Sequence, residues 1–599
     1  MDSALLSSAG CDWEYQRPGK WRELIGNALD THYMSFNKKQ LDKNTASLFL
    51  MLSGAGTGKS RNATEFHGTL IEFSKSQGLK DRLKKAIVLL ITLENGKTPI
   101  DTEFSKGVES IISARMLAQV LGCHLSHVLR YSDLPAPDEL CRQLAKNENM
   151  AFEDFTAVIV VDGLGSLLSS PEDMKNKTSL FYSALTVCAN LALQGAFIIP
   201  LYTATITGSP RKCLADTNRC RVYLELPPLD LPVLKKNHEP AFPEGLVANL
   251  FVGDCGGHGR ALEALYLMYQ THQTENLTNY DDLVSLVIGY LKTRYRGAFE
   301  RTSEEYIAIL KTILSRTRLT RTSKIAGTSL TVELVEGNGL IRFEPGAEDQ
   351  DEGYLSTPFI WIKTFASIYD GQKNNYPISR FLANFLRYHE QISISRGDPV
   401  NTQSLELFEN FAAGFRVLKS LSLDEGQRVW LSQIHYGAAM SGVDLEVINH
   451  QMEQVQSTQQ IRTGSSSGQA PKKIACITMR FGEPKTEIIE ADLPSLKYCT
   501  VNGTNARGGD IFNLLKVVNS DQHVMEAGQC KKVLRVNVPS LLDEVKKATP
   551  KDGVFVLYTT ADLTHEVDTS NYCTSFFVKK DNYSKYFGPF AGRAFLKSR

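Results

Sequence analysis

Ser53-Gly54-Ala55-Gly56-Thr57-Gly58-Lys59-Ser60 is the stretch of this chain whose residue types and spacing point most directly to chemistry. Gly54, Gly56 and Gly58 let backbone N–H groups turn inward toward phosphate oxygens, with Thr57 among them. Lys59 follows with a cation suited to β- and γ-phosphates, and the Ser60 hydroxyl suits magnesium. An apolar run precedes the loop and a helical stretch follows it, which is the context a phosphate-binding loop requires. The pattern departs from Gly-x-x-x-x-Gly-Lys-Ser at its first position, where Ser53 stands and Gly54 is expected to supply the turn. Phe155–Asp162 (FTAVIVVD) reads as a second apolar strand, delivering the Asp162 carboxylate to the same sheet edge. Ser60 and Asp162 are therefore the expected magnesium ligands, and ATP the expected nucleotide. Gly163 follows Asp162 where many ATPases have a glutamate that polarises water, so no base is evident. Thr203 or Thr205, at the end of a further buried run, is expected near the γ-phosphate. Arg260, in Gly256–Leu262 at a helix start, is expected to lean over the nucleotide.

A second group lies near the C-terminus. Asp510 enters one expected strand (Ile511–Val518), and Gln529 and Lys531 fall on its neighbour (His523–Val533). Alternation along a strand sends Gln529 and Lys531 to one face and Glu526 to the other. A carboxylate, an amide and an ammonium around one point can hold magnesium, with Asp510 as ligand, and set water against a phosphodiester. This resembles the Asp…(Glu/Gln)-x-Lys core of restriction-endonuclease-like nucleases. Those folds begin with a helix carrying a glutamate, which Leu405–Leu418 offers as Glu409.

The elements that must position these groups follow from the apolar pattern. Ser47–Leu52, Ala86–Leu93, Ala157–Val161, Ala196–Tyr202 and Val222–Leu226 are short apolar runs separated by helical stretches, the signature of a parallel sheet covered on both faces. The expected order is a helical preface (1–45, with Trp13 and Trp21), a P-loop core (46–226), a helical lid (227–325) and a winged helix (326–372). An α/β restriction-endonuclease-like domain (373–599) would close the chain. Residues 375–455 read as helix, 456–473 as a flexible polar insert, and the remainder as β-rich. The Gly-Gly-x-x-Arg-x-Leu run at Gly256–Leu262 resembles the lid of AAA-type and signalling P-loop ATPases.

Composition narrows the classes. Apolar residues make up 42% and charged residues 22%, with 66 basic residues balancing 66 acidic ones, so no chain-wide cationic surface exists. Residues 472–599 carry 19 Lys and Arg against 14 Asp and Glu, which favours a polyanionic partner locally. The 11 cysteines never fall as Cys-x-x-Cys, which suits a reducing compartment without structural zinc. No secretory signal and no run of about 20 apolar residues is seen, so no membrane partner is expected.

Taken together, Leu48–Ser60, the Asp162 strand, Gly256–Leu262 and the ending Tyr586-Phe587-Gly588-Pro589-Phe590-Ala591-Gly592-Arg593 resemble the Crinkler and retrotransposon-hot-spot superfamily. That resemblance implies a P-loop ATPase joined to a restriction-endonuclease-like domain, with nucleotide residues Gly58, Lys59, Ser60 and Asp162 and nuclease residues Glu409, Asp510, Gln529 and Lys531. It also implies an effector acting on nucleic acid, DNA before RNA, in a host nucleus. The chain departs from the pattern in having no Leu-Phe-Leu-Ala-Lys-type header and in placing Gln529 where an acid is usual. The alternative is a signalling or scaffolding ATPase whose inactive nuclease-like domain only binds a partner; oligomeric state is left open.

Overall fold

The computed structural model describes residues 9–94, 98–131, 133–168, 176, 178–205, 218–242, 246–271, 280–294, 301–337, 339–346, 352–369, 376–390, 403–459, 475–480, 483–490, 495–502, 509–531, 535–536, 538–563 and 567–598. Five parallel strands form the first sheet: β1 (Leu48–Leu52), β2 (Ile87–Thr92), β3 (Thr156–Asp162), β4 (Phe197–Ala204) and β5 (Arg221–Tyr223). Their spatial order is β2-β3-β4-β1-β5. β1, β3 and β4 are almost wholly buried, as strands covered on both faces must be, while the edge strand β5 buries only Val222. Leu48 and Leu50 of β1, with Ile159 and Val161 of β3, join one core beneath the helices Val108–Val120 and Leu180–Leu191. Phe49 and Met51, with Val158 and Val160, join the opposite core against α1 (Trp21–Asn37) and Phe66–Phe73. Trp21 of the preface is buried there and its indole N–H donates to Glu225 O at 2.9 Å.

After β5 come the helices Leu246–Asp254, Gly259–Thr271, Tyr280–Arg294 and Ser303–Leu314, the last opened by a Thr302/Glu305 capping box. Val332–Gly337 and the antiparallel hairpin Arg342–Pro345/Glu352–Ser356 follow, with Leu319–Thr320 as a third strand. A short helix thus precedes the hairpin in this segment.

The C-terminal region corrects the expectation of helix across 375–455. Helix ends at Ser422, and Arg428–Trp430, Ala439–Ser441, Glu446–Ile448 and Gln454–Gln459 are strands of an eleven-stranded mixed sheet. Residues 456–459 thus belong to a strand and not to the polar insert, whose remaining residues 460–473 lie outside the described ones. Short strands of three residues carry too little alternation to be told from helix by pattern. Within this sheet Ile511–Val517 pairs antiparallel with His523–Lys531, and His523–Lys531 pairs parallel with Val554–Thr559 across the helix Val538–Ala548. The helix Gln403–Ser422 covers one sheet face. Its Phe411 and Phe415 pack on Phe587, at ring centroid distances of 5.9 and 5.1 Å, and Phe415 also packs on Phe590. One continuous apolar core runs from the helices after β5 through Val332–Gly337 and its hairpin into this sheet.

Candidate nucleotide site and C-terminal polar site

The chain leaves β1 at Leu52 and turns through Ser53–Gly58 into the helix α2 (Lys59–Thr64). Lys59 is buried, and its Nζ donates to Ser53 O at 2.9 Å and Gly54 O at 2.8 Å. Burial pulls this ammonium down to about 8, against the opposing pull of Glu94, Asp162 and Glu336. Thr57 braces the loop, its hydroxyl 2.6 Å from Ser53 Oγ and donating to Gly54 O at 2.8 Å. Ser60 Oγ donates to Asp162 Oδ2 at 2.9 Å. Thr203 Oγ1 donates to Asp162 Oδ1 at 2.5 Å and accepts from the Gly163 N–H at 3.1 Å. Both oxygens of Asp162 are therefore fixed at the C-terminal edge of the sheet. Of the two threonines considered, Thr203 makes this contact, while Thr205 lies just past the end of β4.

Two other elements close on the loop. The start of the helix Gly259–Thr271 contributes the Arg260 N–H, which donates to Gly56 O at 3.1 Å, and just before it His258 Nε2 lies 3.2 Å from Ala55 O. Burial, then Arg342, keeps His258 neutral by pulling it down to about 3. The Arg260 side chain pairs with Glu263 at 3.5 Å and stays about a third exposed. The helix Val332–Gly337 packs against Gly54: a Cβ there would lie 2.6 Å from Glu336 O, so only glycine admits this approach. His258 lies at an unspecified position of the Gly256–Leu262 run, which singles out Arg260 instead, while Arg342 and Glu336 carry no motif and come from remote sequence. Glu94 is different, since a carboxylate just past the end of an apolar strand is readable. Burial and the neighbouring Asp162 raise its carboxyl above the ordinary range.

In the C-terminal sheet, Gln529 Nε2 donates to Asp510 Oδ2 at 2.5 Å and the Cys530 N–H to the same oxygen at 2.7 Å. Burial pushes Asp510 up to about 6, opposed by the Cys530 N–H and Lys531. Lys531 pairs with Glu544, from Val538–Ala548, at 3.3 Å. Glu409 approaches from the helix Gln403–Ser422, where its charge acts on the Cys530 thiol. Cys530 alternates with Gln529 and Lys531 along the strand. Among the described residues no group of three or more His, Cys, Asp and Glu could hold a metal ion. Glu526 turns away from Gln529 as alternation requires, and meets Arg416 (2.9 and 3.1 Å) and His435 (3.4 Å) in a buried cluster. That cluster has no motif and went unread in the sequence.

No protein-family profile matches the chain. It is 28% identical to Crinkler effector protein 108 of Phytophthora sojae, an alignment covering 99% of this chain and 70% of that protein. The described fold is loosely similar to the ORC2 protein of Aeropyrum pernix (16% identity, TM-score 0.29, 50% of this chain and 75% of that one). A comparable overlap is found with Cdc6p of Pyrobaculum aerophilum (15%, TM-score 0.26, 53% and 80%). The chain is thus an α/β protein with a parallel sheet, similar in sequence over nearly its whole length to a Crinkler effector. Among the described residues no helix is long and apolar enough to cross a membrane.

Proposed function

We propose that this chain is a P-loop ATPase of the Crinkler effector type, in which nucleotide state acts through the lid on a restriction-endonuclease-like C-terminal domain. The observation that carries the reading is the meeting of Lys59, Ser60 and Asp162 at the C-terminal edge of a parallel sheet, beside a helix N-terminus. The residues fit a triphosphate with magnesium. The buried Lys59 ammonium is hydrogen-bonded only to loop carbonyls, and Ser60 and Asp162 already share a hydrogen bond where a magnesium ion would take both as ligands. Magnesium there would neutralise phosphate charge. Arg260 on the lid and Gly54 against the winged helix give both elements a contact that phosphate would disturb. In a titration of the full chain with a fluorescent ATP analogue and magnesium, wild type should bind and Lys59→Ala should bind far more weakly. Equal affinity in the two would end this reading.

A second reading concerns the C-terminal site, and the direct Asp510–Gln529 contact with Lys531 on the same strand favours it. The order helix, antiparallel strands, helix, parallel strand supports a restriction-endonuclease-like fold. In this reading Asp510 and Gln529 hold magnesium and Lys531 supports a water against a phosphodiester of DNA in a host nucleus, with Glu409 as an outer partner. Magnesium-dependent plasmid nicking should be present in wild type and lost in Lys531→Ala. Salt-sensitive DNA binding without cutting would instead favour a domain that only binds nucleic acid.

A further inference from the structure

We propose that Glu94 is the general base for ATP hydrolysis in this chain, supplying from the neighbouring strand the carboxylate that Gly163 cannot. This rests on the nucleotide reading of Lys59 and Asp162 above. β2 and β3 run parallel with Thr92 opposite Asp162, so Glu94, two residues on, emerges beside the residue that follows Asp162. Its side chain fills the space a residue at 163 would use: a Cβ on Gly163 would lie 2.4 Å from Glu94 Cγ and 2.7 Å from Glu94 Cδ. Gly163 has φ +87°, a left-handed conformation in which a glutamate would be strained. Position 163 is thus shaped to receive a carboxylate from elsewhere.

The base of Glu94 is anchored. Its N–H donates to Thr92 Oγ1 at 3.3 Å, and Thr92 O accepts from Arg115 Nε at 3.2 Å. Arg115 is itself held in a buried ion pair with Glu103 at 2.5 Å. Among the described residues no hydrogen bond reaches the Glu94 carboxylate, which leaves its oxygens for water. In the step assigned to it, the water oxygen bonds to the γ-phosphorus as the bond from that phosphorus to the β,γ-bridging oxygen breaks. The electron pair of the broken bond stays on ADP, and the water proton passes to Glu94 and then to solvent.

The test uses full-length wild type, Glu94→Gln, Glu94→Asp and Lys59→Ala with magnesium. Three quantities are read: affinity for a fluorescent ATP analogue, single-turnover phosphate release, and the nucleotide recovered from the protein by chromatography. Glu94→Gln should bind within about threefold of wild type, release phosphate about 10²–10⁴-fold more slowly, and yield ATP where wild type yields ADP. Glu94→Asp should bind as well and fall between them in rate. Near-wild-type release by Glu94→Gln overturns the assignment, as does wild type that binds ATP without releasing phosphate. Loss of binding in both Glu94 variants makes the residue a packing element and overturns it equally. A wild type that does not bind ATP, or binding unaffected by Lys59→Ala, instead removes the nucleotide reading beneath it.

Discussion

His32, on α1, is fully buried against Phe197 at a ring distance of 5.0 Å, and among the described residues neither ring nitrogen has a hydrogen-bond partner. Burial pulls it down to about 4 from 6.5. The folded imidazole therefore stays neutral while the unfolded one protonates, so stability is intact above about pH 6.5 and declines as pH falls toward 4. At pH 5 the loss is about 2 kcal/mol, from ~1.4 kcal/mol per unit of difference. His32→Phe keeps the ring and removes the proton site. Thermal melts at pH 7.5 and pH 5 should show a smaller gap for this variant than for wild type; an unchanged gap would mean that other groups control the acid response.

At the scale of elements, the helix Gln403–Ser422 is joined to the strand His523–Lys531 by the two-pronged Arg416–Glu526 pair, with His435 beside the Oε2 that also accepts from Arg416. Burial alone would raise the Glu526 carboxyl, but Arg416 and His435 hold it well below the ordinary carboxylate range. A depressed carboxyl contributes stability that is present above its unfolded value and lost only as pH falls through the folded one, so this cluster survives mild acid. Glu526→Gln leaves Arg416 buried without a counter-charge and should cost about 3–5 kcal/mol. Replacing both Arg416 and Glu526 by apolar residues of similar volume should recover much of that, as read by chemical denaturation. A double variant no better than the single one would show that packing shape, not the orphaned charge, sets the cost.

Across the whole molecule, the C-terminal helix reaches back to the helix Leu246–Asp254. Arg593 forms a buried ion pair with Asp254, the last residue of Leu246–Asp254, and its guanidinium lies 3.5 Å from the Phe359 ring centroid. A few residues past Asp254 the chain reaches His258 and Arg260, which touch the loop around Lys59. Arg593→Ala should therefore lower the melting temperature and also change ATP-analogue affinity, although Arg593 is far along the chain from the loop. Arg593→Lys keeps the charge and should restore part of both. If only the melting temperature moves, the ion pair holds the fold without linking the two regions. The described cysteines are all free thiols, so no disulfide among them restricts this link.

The amino-acid sequence determined the parallel sheet and the loop at its edge, because doubly covered strands are unbroken apolar runs and Gly-rich Lys-Ser chemistry is local in the chain. It also located Asp162, Asp510, Gln529 and Lys531, since strand alternation and strand ends can be counted. Only the tertiary structure decided that Glu94 lies against Gly163 and that Gly54 meets Glu336. It also replaced helix by strands after Ser422 and joined the helices after β5, the Arg342–Ser356 hairpin and the C-terminal sheet in one core. Such contacts join residues remote in sequence, and what fixes them is the pairing register and packing of whole elements, which no local pattern of residues records.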